Sequence, residues 1–199
     1  MGTIPGKIFL VTGPPGVGKT TLITRVFESL KSSKPDLKIQ GFFTREIREG
    51  TERIGFQVVT LDGRTAPLAS SSISHPDTYR WPAVGKYKVD VKSFESVALP
   101  EMQIREDTDL FIIDEVGKME LFSTPFIEAV ERVLELNVPL LASIPQPKYS
   151  SDPPIVAKLR NEPRATIFTL HPSNRDAAKN EMFPGRVCCI CETYEHTKE

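Results

Sequence analysis

Two kinds of apolar pattern alternate along the chain. The first is a short, almost unbroken apolar run bounded by turn residues: KIFLVT (residues 7–12), DLFIID (109–114), VPLLASI (138–144) and ATIFTL (165–170). Such runs predict strands buried on both faces of a parallel sheet. The second is a longer stretch with apolar residues every three or four positions, the helical period. Leu22, Ile23, Val26 and Leu30 mark a helix from Thr20 to about Lys31, and Phe126, Ile127, Val130, Val133 and Leu134 mark another, with Pro125 in its first turn. Shorter helices are expected around Phe94 to Leu99, Ile155 to Asn161 and Ser173 to Asn180.

Residues 39–49 and 53–61 both read as strands, and the EGTE connection between them (49–52) holds a glycine, so they are expected to form a β-hairpin. YKVDV (87–91) reads as one more short strand. Between these, residues 62–83 follow neither period. They hold three consecutive serines, three prolines and the only tryptophan, Trp81, and are expected to form a surface excursion. The alternation of strands and helices predicts an α/β fold of three layers. Its central sheet is expected to be mostly parallel but mixed, with the hairpin inserted, and residues 1–199 to form a single domain.

Composition narrows the classes. Hydrophobic residues make up 39% of the 199, enough for a buried core, which excludes a wholly disordered chain. Lysine and arginine total 25 against 26 acidic residues, a formal charge of −1, so no bulk charge favours nucleic acid. No apolar run reaches the roughly 18 residues of a membrane span, and MGTIPGKIFLVTGPPG does not read as a secretory signal. Cys188, Cys189 and Cys191 are too close for an ordinary disulfide framework and too few for a structural zinc site. RVCCICE is expected to be a last strand with free thiols, which fits a reducing, cytoplasmic compartment.

The chemistry begins directly after the first strand. Gly13-Pro14-Pro15-Gly16-Val17-Gly18-Lys19-Thr20 fits G-x-x-x-x-G-K-[ST], with a strand before it and a helix after it. The glycines let backbone N–H groups approach phosphate oxygens, and the helix N-terminus adds positive potential. Lys19 is expected to reach the β- and γ-phosphates and the Thr20 hydroxyl to ligate Mg²⁺. LFIIDE supplies the acidic partner. Asp114 ends a buried run and is expected to hold the same Mg²⁺, and Glu115 to orient or deprotonate an attacking water. Lys118 lies just beyond. It is read either as a cation that offsets charge in the transition state or as a solvated lysine. Asp114-Glu-Val-Gly117 also fits the short D-x-x-G pattern, but the sequence carries no N-K-x-D element for guanine, so a pocket tolerant of several bases is expected.

GPPGVGKTTLI, GFFTREIREGTERIGFQVVTL, FIIDEVGKMELF, ASIP and the late SNRD together resemble the cancer-related nucleoside-triphosphatases, a family shared with small thermophile NTPases. The resemblance runs from about Lys7 to about Val187. It implies a P-loop NTPase fold and slow, Mg²⁺-dependent hydrolysis of ATP, GTP and other NTPs by a monomeric or weakly associating protein. It also implies nucleotide binding at Gly13 to Thr20, with Thr21 beside them, and at Leu110, Phe111, Ile112, Ile113, Asp114, Glu115, Val116 and Gly117. A role near the site is implied for Arg45-Glu46-Ile47-Arg48, and Arg175, after Asn174, is expected to stack on the base. Two other readings of the residues stay open. One is a small-molecule or nucleotide kinase in which Arg45, Arg48 and Arg53 grip an acceptor phosphate. The other is a binding module whose bound nucleotide is read by a partner.

Overall fold

The structure is a computed structural model and describes residues 7–72, 78–136, 138–147 and 152–177. The RVCCICE segment and its three cysteines lie outside the described residues, as does the end of the helix expected near Ser173 to Asn180.

The chain runs β1 (Ile8–Thr12), α1 (Lys19–Ser33), β2 (Ile39–Glu49), β3 (Glu52–Thr60), β4 (Thr65–Ser70), β5 (Ala83–Val84) and β6 (Tyr87–Val89). It continues through α2 (Val91–Glu101), β7 (Leu110–Ile113), α3 (Thr124–Glu135), β8 (Leu140–Ser143), α4 (Pro154–Asn161), β9 (Ala165–Thr169) and α5 (Arg175–Ala177). One-turn 3-10 helices cover Thr78–Arg80 and Glu120–Phe122. Among the described residues, nine strands form one sheet in the order β5-β6-β4-β3-β2-β7-β8-β1-β9. Parallel pairing joins β2, β7, β8, β1 and β9, and antiparallel pairing adds β3, β4, β6 and β5. The sheet is therefore mixed, as expected, and its antiparallel part extends beyond the hairpin.

Strand alternation builds the three layers. Ile8 and Leu10 of β1 face a core shared with α2, α3 and α4, while Phe9 and Val11 face a core shared with α1. Both faces of the parallel strands are covered, which is why those strands read as continuous apolar runs. Phe42 of β2, Phe94 of α2 and Phe126 of α3 meet with ring centroids 5.3–5.8 Å apart. This trio holds β2 at the foot of the cleft described below. Caps fix the helices around it: Asp90 accepts from the Ser93 N–H at 3.0 Å, and Ser123 accepts from the Phe126 N–H at 3.1 Å.

One expectation is corrected. Part of residues 62–83 is a sheet strand, β4, with Leu68 and Ala69 fully buried against α2. TAPLAS has little intrinsic strand preference, and Pro67 argues against an inner strand. The proline is accommodated because it pairs with Gln57, where the β3–β4 register slips between Phe56 and Gln57.

Candidate active site

β1 and β7 are both parallel to β8 and lie on either side of it, so the loops that follow them emerge at the same end of the sheet. Ligands of open α/β sheets bind outside these carboxyl ends. Here the two loops open onto a cleft of about 810 Å³.

The loop after β1 forms one wall through Gly13, Pro15, Gly16, Gly18, Lys19, Thr20 and Thr21. Gly16 and Gly18 take φ of +74° and +105°, which only glycine adopts without strain. A Cβ on Gly16 would meet nothing within 4 Å, so backbone conformation rather than space requires glycine there. Gly18 then caps α1. Val17 is buried beneath the loop in the α1-side core, and the Pro14 carbonyl accepts the Val17 N–H at 3.3 Å. Neither lines the cleft. Lys19 Nζ donates to the Gly13 carbonyl at 3.3 Å and lies 3.9 Å from Glu115 Oε2.

The loop after β7 supplies the carboxylates. Leu110, Phe111, Ile112 and Ile113 are buried in the sheet and Val116 beneath it. They form the stem that carries Asp114 and Glu115, not cleft wall. Asp114 is wholly buried. Its Oδ1 accepts from the Ser143 hydroxyl, and its Oδ2 has no hydrogen-bond partner among the described residues. Burial pushes its pKa up. The Ser143 hydrogen bond, the nearby Thr20 hydroxyl, the Lys19 charge and the Thr44 N–H oppose this, although neither threonine group completes a hydrogen bond to Oδ2. An orphaned, buried carboxylate oxygen facing a threonine at a helix start fits a hard divalent cation with oxygen ligands. Burial likewise raises the pKa of Glu115. The Lys19 charge lowers it and the Asp114 charge adds to the rise.

Three features escaped the sequence reading. Ser143 ends β8 between the two loops and steadies Asp114. Glu120, in the turn after Gly117, lines the cleft while only 4% exposed. Burial first, then the charges of Glu115 and Asp114, push its pKa up to about 8, so it is largely protonated at neutrality. The third is the way the far wall is assembled, of which only the charged residues of the hairpin were expected. β2 pairs with β7 only as far as Phe42, opposite Ile113, and the β2–β3 hairpin runs on past the sheet edge. It brings Thr44, Arg45, Glu46, Arg48, Arg53 and Phe56 to the cleft, beside Tyr87, Lys118 and Met119. The implied place of Arg45 to Arg48 near the site is thus matched by position. Arg175 is not on the cleft wall. It opens α5, with Asn174 holding the preceding turn through His171 N–H at 2.8 Å and the Thr169 carbonyl at 3.1 Å.

With this geometry in hand, comparison with known proteins decides the family. The pattern of the NTPase family matches residues 8–183. The chain belongs to that family. It is 42% identical over 189 residues to the human cancer-related nucleoside-triphosphatase, covering 92% of this chain and 95% of that one. It is 41% identical over 174 residues to the nucleoside-triphosphatase THEP1 of Thermotoga maritima, covering 87% and 91%. Among solved structures, the fold matches THEP1 from Aquifex aeolicus with a TM-score of 0.74 and 32% identity, over 93% of this chain and 99% of that one. The solution structure of the human protein matches with the same TM-score, 41% identity and 93% and 97% coverage. The α/β fold expected from the alternating patterns, and the family expected from the quoted motifs, are both confirmed. Among the described residues, no helix is long and apolar enough to cross a membrane.

Proposed function

We propose that this protein hydrolyses nucleoside triphosphates to the diphosphate and phosphate, with Mg²⁺ and with broad tolerance of the base, ATP and GTP included. The observation that carries the reading is the 3.9 Å approach of Lys19 to Glu115 at the phosphate-binding loop, with the orphaned Asp114 Oδ2 buried behind the cleft wall and within the influence of the Lys19 charge. The names of the relatives support the activity.

The loop N–H groups and Lys19 bind the phosphates, and Thr20 and Asp114 hold the metal. Mg²⁺, when bound, supplies positive charge that polarises the γ-phosphate. Glu115 takes a proton from the attacking water as the new O–P bond forms and the bond to the β-phosphate oxygen breaks, which leaves the diphosphate and phosphate. A carboxylate with a raised pKa is a better base for this than an exposed one. Lys118 and Arg45, on the cleft wall, offset charge on the transferring oxygens. Most of the gain comes from positioning and electrostatics, since phosphoryl transfer needs little covalent help. Arg175, although off the cleft wall, takes the outer edge of the base. The reading carries with it a cytoplasmic monomer of one domain that acts on free nucleotides, not on nucleic acid or membrane.

Phosphate release measured over a panel of NTPs and dNTPs, with and without Mg²⁺, tests this. The reading predicts release from several bases, abolished by chelation. Release that persists without divalent metal, or from a single base only, contradicts it.

A further inference from the structure

The cleft is larger than one triphosphate end requires, and its outer half has a chemistry of its own. On β2, Phe42 faces the α2–α4 layer and Phe43 faces α1, so Thr44 and Glu46 fall on the first side and Arg45 on the second. Arg45 lies three residues past the last β7 pair, roughly 10 Å along the strand, and Arg48 roughly 20 Å. Arg53 sits opposite Arg48 across the hairpin.

These two outer arginines are held in place. Arg48 donates to Glu46 Oε2 through Nε (3.0 Å) and Nη2 (2.7 Å), and to the Thr51 carbonyl through Nη1 (3.1 Å). Arg53 donates to Glu46 Oε1 at 2.7 Å and to the Tyr87 hydroxyl at 3.0 Å, and its guanidinium lies 4.9 Å from the centre of the Phe56 ring. Partial burial would raise the Glu46 pKa, but its bonds to the two arginines hold it low, so the carboxylate stays charged. Two guanidinium groups locked by one carboxylate keep spare N–H donors in a fixed fork and a net positive charge. Lys118, which forms no ion pair among the described residues, adds a second net charge on the same wall.

Beside this wall, sharing Val84, Gly85 and Lys118 with it, a second, shallow pocket of about 410 Å³ is lined by Ala83, Leu121, Phe122 and Pro153. Phe122 is 43% exposed, a large ring left facing solvent. The pocket is within the size range of small-molecule sites.

We propose that the outer cleft and this pocket form one further binding site, for a small phosphomonoester that carries a planar heterocycle, as a nucleoside monophosphate does, occupied together with the triphosphate. The dianionic phosphate sits at the fork of Arg48 and Arg53, on the wall that also carries Lys118. The body passes Val84 and Gly85 and packs on Phe122. The proposal rests on the reading that the loop half takes the triphosphate.

Calorimetry on the full chain tests it. The protein is saturated with a non-hydrolysable ATP analogue and Mg²⁺, then titrated with AMP and, separately, with inorganic phosphate. AMP is expected to bind to the loaded protein, and more tightly than phosphate. R48Q and F122A should each weaken AMP by about tenfold or more, with affinity for the ATP analogue held within about twofold. Three results overturn the proposal: AMP that binds only by displacing the analogue, AMP that binds no better than phosphate, or AMP affinity unchanged in both variants. If the analogue itself does not bind, the reading of the loop half fails instead. AMP titration of the unloaded wild type, R48Q and F122A then still tests the outer site.

Discussion

The two walls of the cleft are built in opposite ways. The inner wall grows from the carboxyl ends of buried parallel strands. Its functional atoms are backbone N–H groups, one lysine and carboxylates at the strand ends, and burial is the first cause of the raised pKa values of Asp114, Glu115 and Glu120. The outer wall is a hairpin that projects past the sheet. Its charges are half-exposed, and mutual pairing rather than burial positions them. The first arrangement suits chemistry, because a low-dielectric site magnifies each charge. The second suits recognition, because paired arginines fixed at the surface keep N–H donors to spare.

Removing the lysine of the inner wall should separate the two walls most strongly. Lys19→Ala should lower kcat/KM for ATP by roughly 10²–10³ through both binding and turnover. Steady-state phosphate release checks this, and a loss below tenfold would mean the loop does not carry the phosphates. Ser143→Ala should have a smaller effect. It strips Asp114 of its one side-chain donor, costing about 1–3 kcal/mol of stability by chemical denaturation. The concentration of Mg²⁺ needed for half-maximal rate should rise, as the carboxylate becomes harder to ionise. An unchanged Mg²⁺ dependence would separate Ser143 from the metal site.

The smallest effect concerns Glu120. Its folded pKa, about 8, lies above the ordinary carboxylate value of 4.5. The folded state therefore binds a proton that the unfolded state has already lost between these values, and stability falls as pH rises through that window. Glu120→Gln removes this penalty. Thermal melts should show the variant and wild type close at pH 4.5, with the variant's advantage growing by several degrees by pH 8. A constant gap across that range would show that Glu120 is not protonated in the folded state.

How legible each wall was in the sequence follows from the same contrast. The inner wall is local. Eight consecutive residues and the end of one apolar run specify the loop, the helix start and Asp114-Glu115, so spacing was enough. β4 was not legible, because TAPLAS becomes a strand only when Phe94 and Ala98 of α2 cover it and a register slip admits Pro67. Glu120 looked like any polar residue in GKMELF, and the turn after Gly117 alone puts it under the other two carboxylates. The convergence of Arg48, Arg53 and Tyr87 depends on antiparallel register and on β6, which no local pattern encodes. The hairpin itself was readable, whereas its partners across the cleft were not.

In the proposed reaction the glycine loop and the acidic pair act on one metal-bound triphosphate, with Glu115 as the group that activates water. Glu115→Gln tests it most directly, with Mg·ATP affinity and single-turnover hydrolysis measured on the same preparation. Affinity within about twofold of wild type and a hydrolysis rate lower by roughly 10²–10⁴ is the predicted result. Normal affinity with a wild-type rate would remove Glu115 from the reaction.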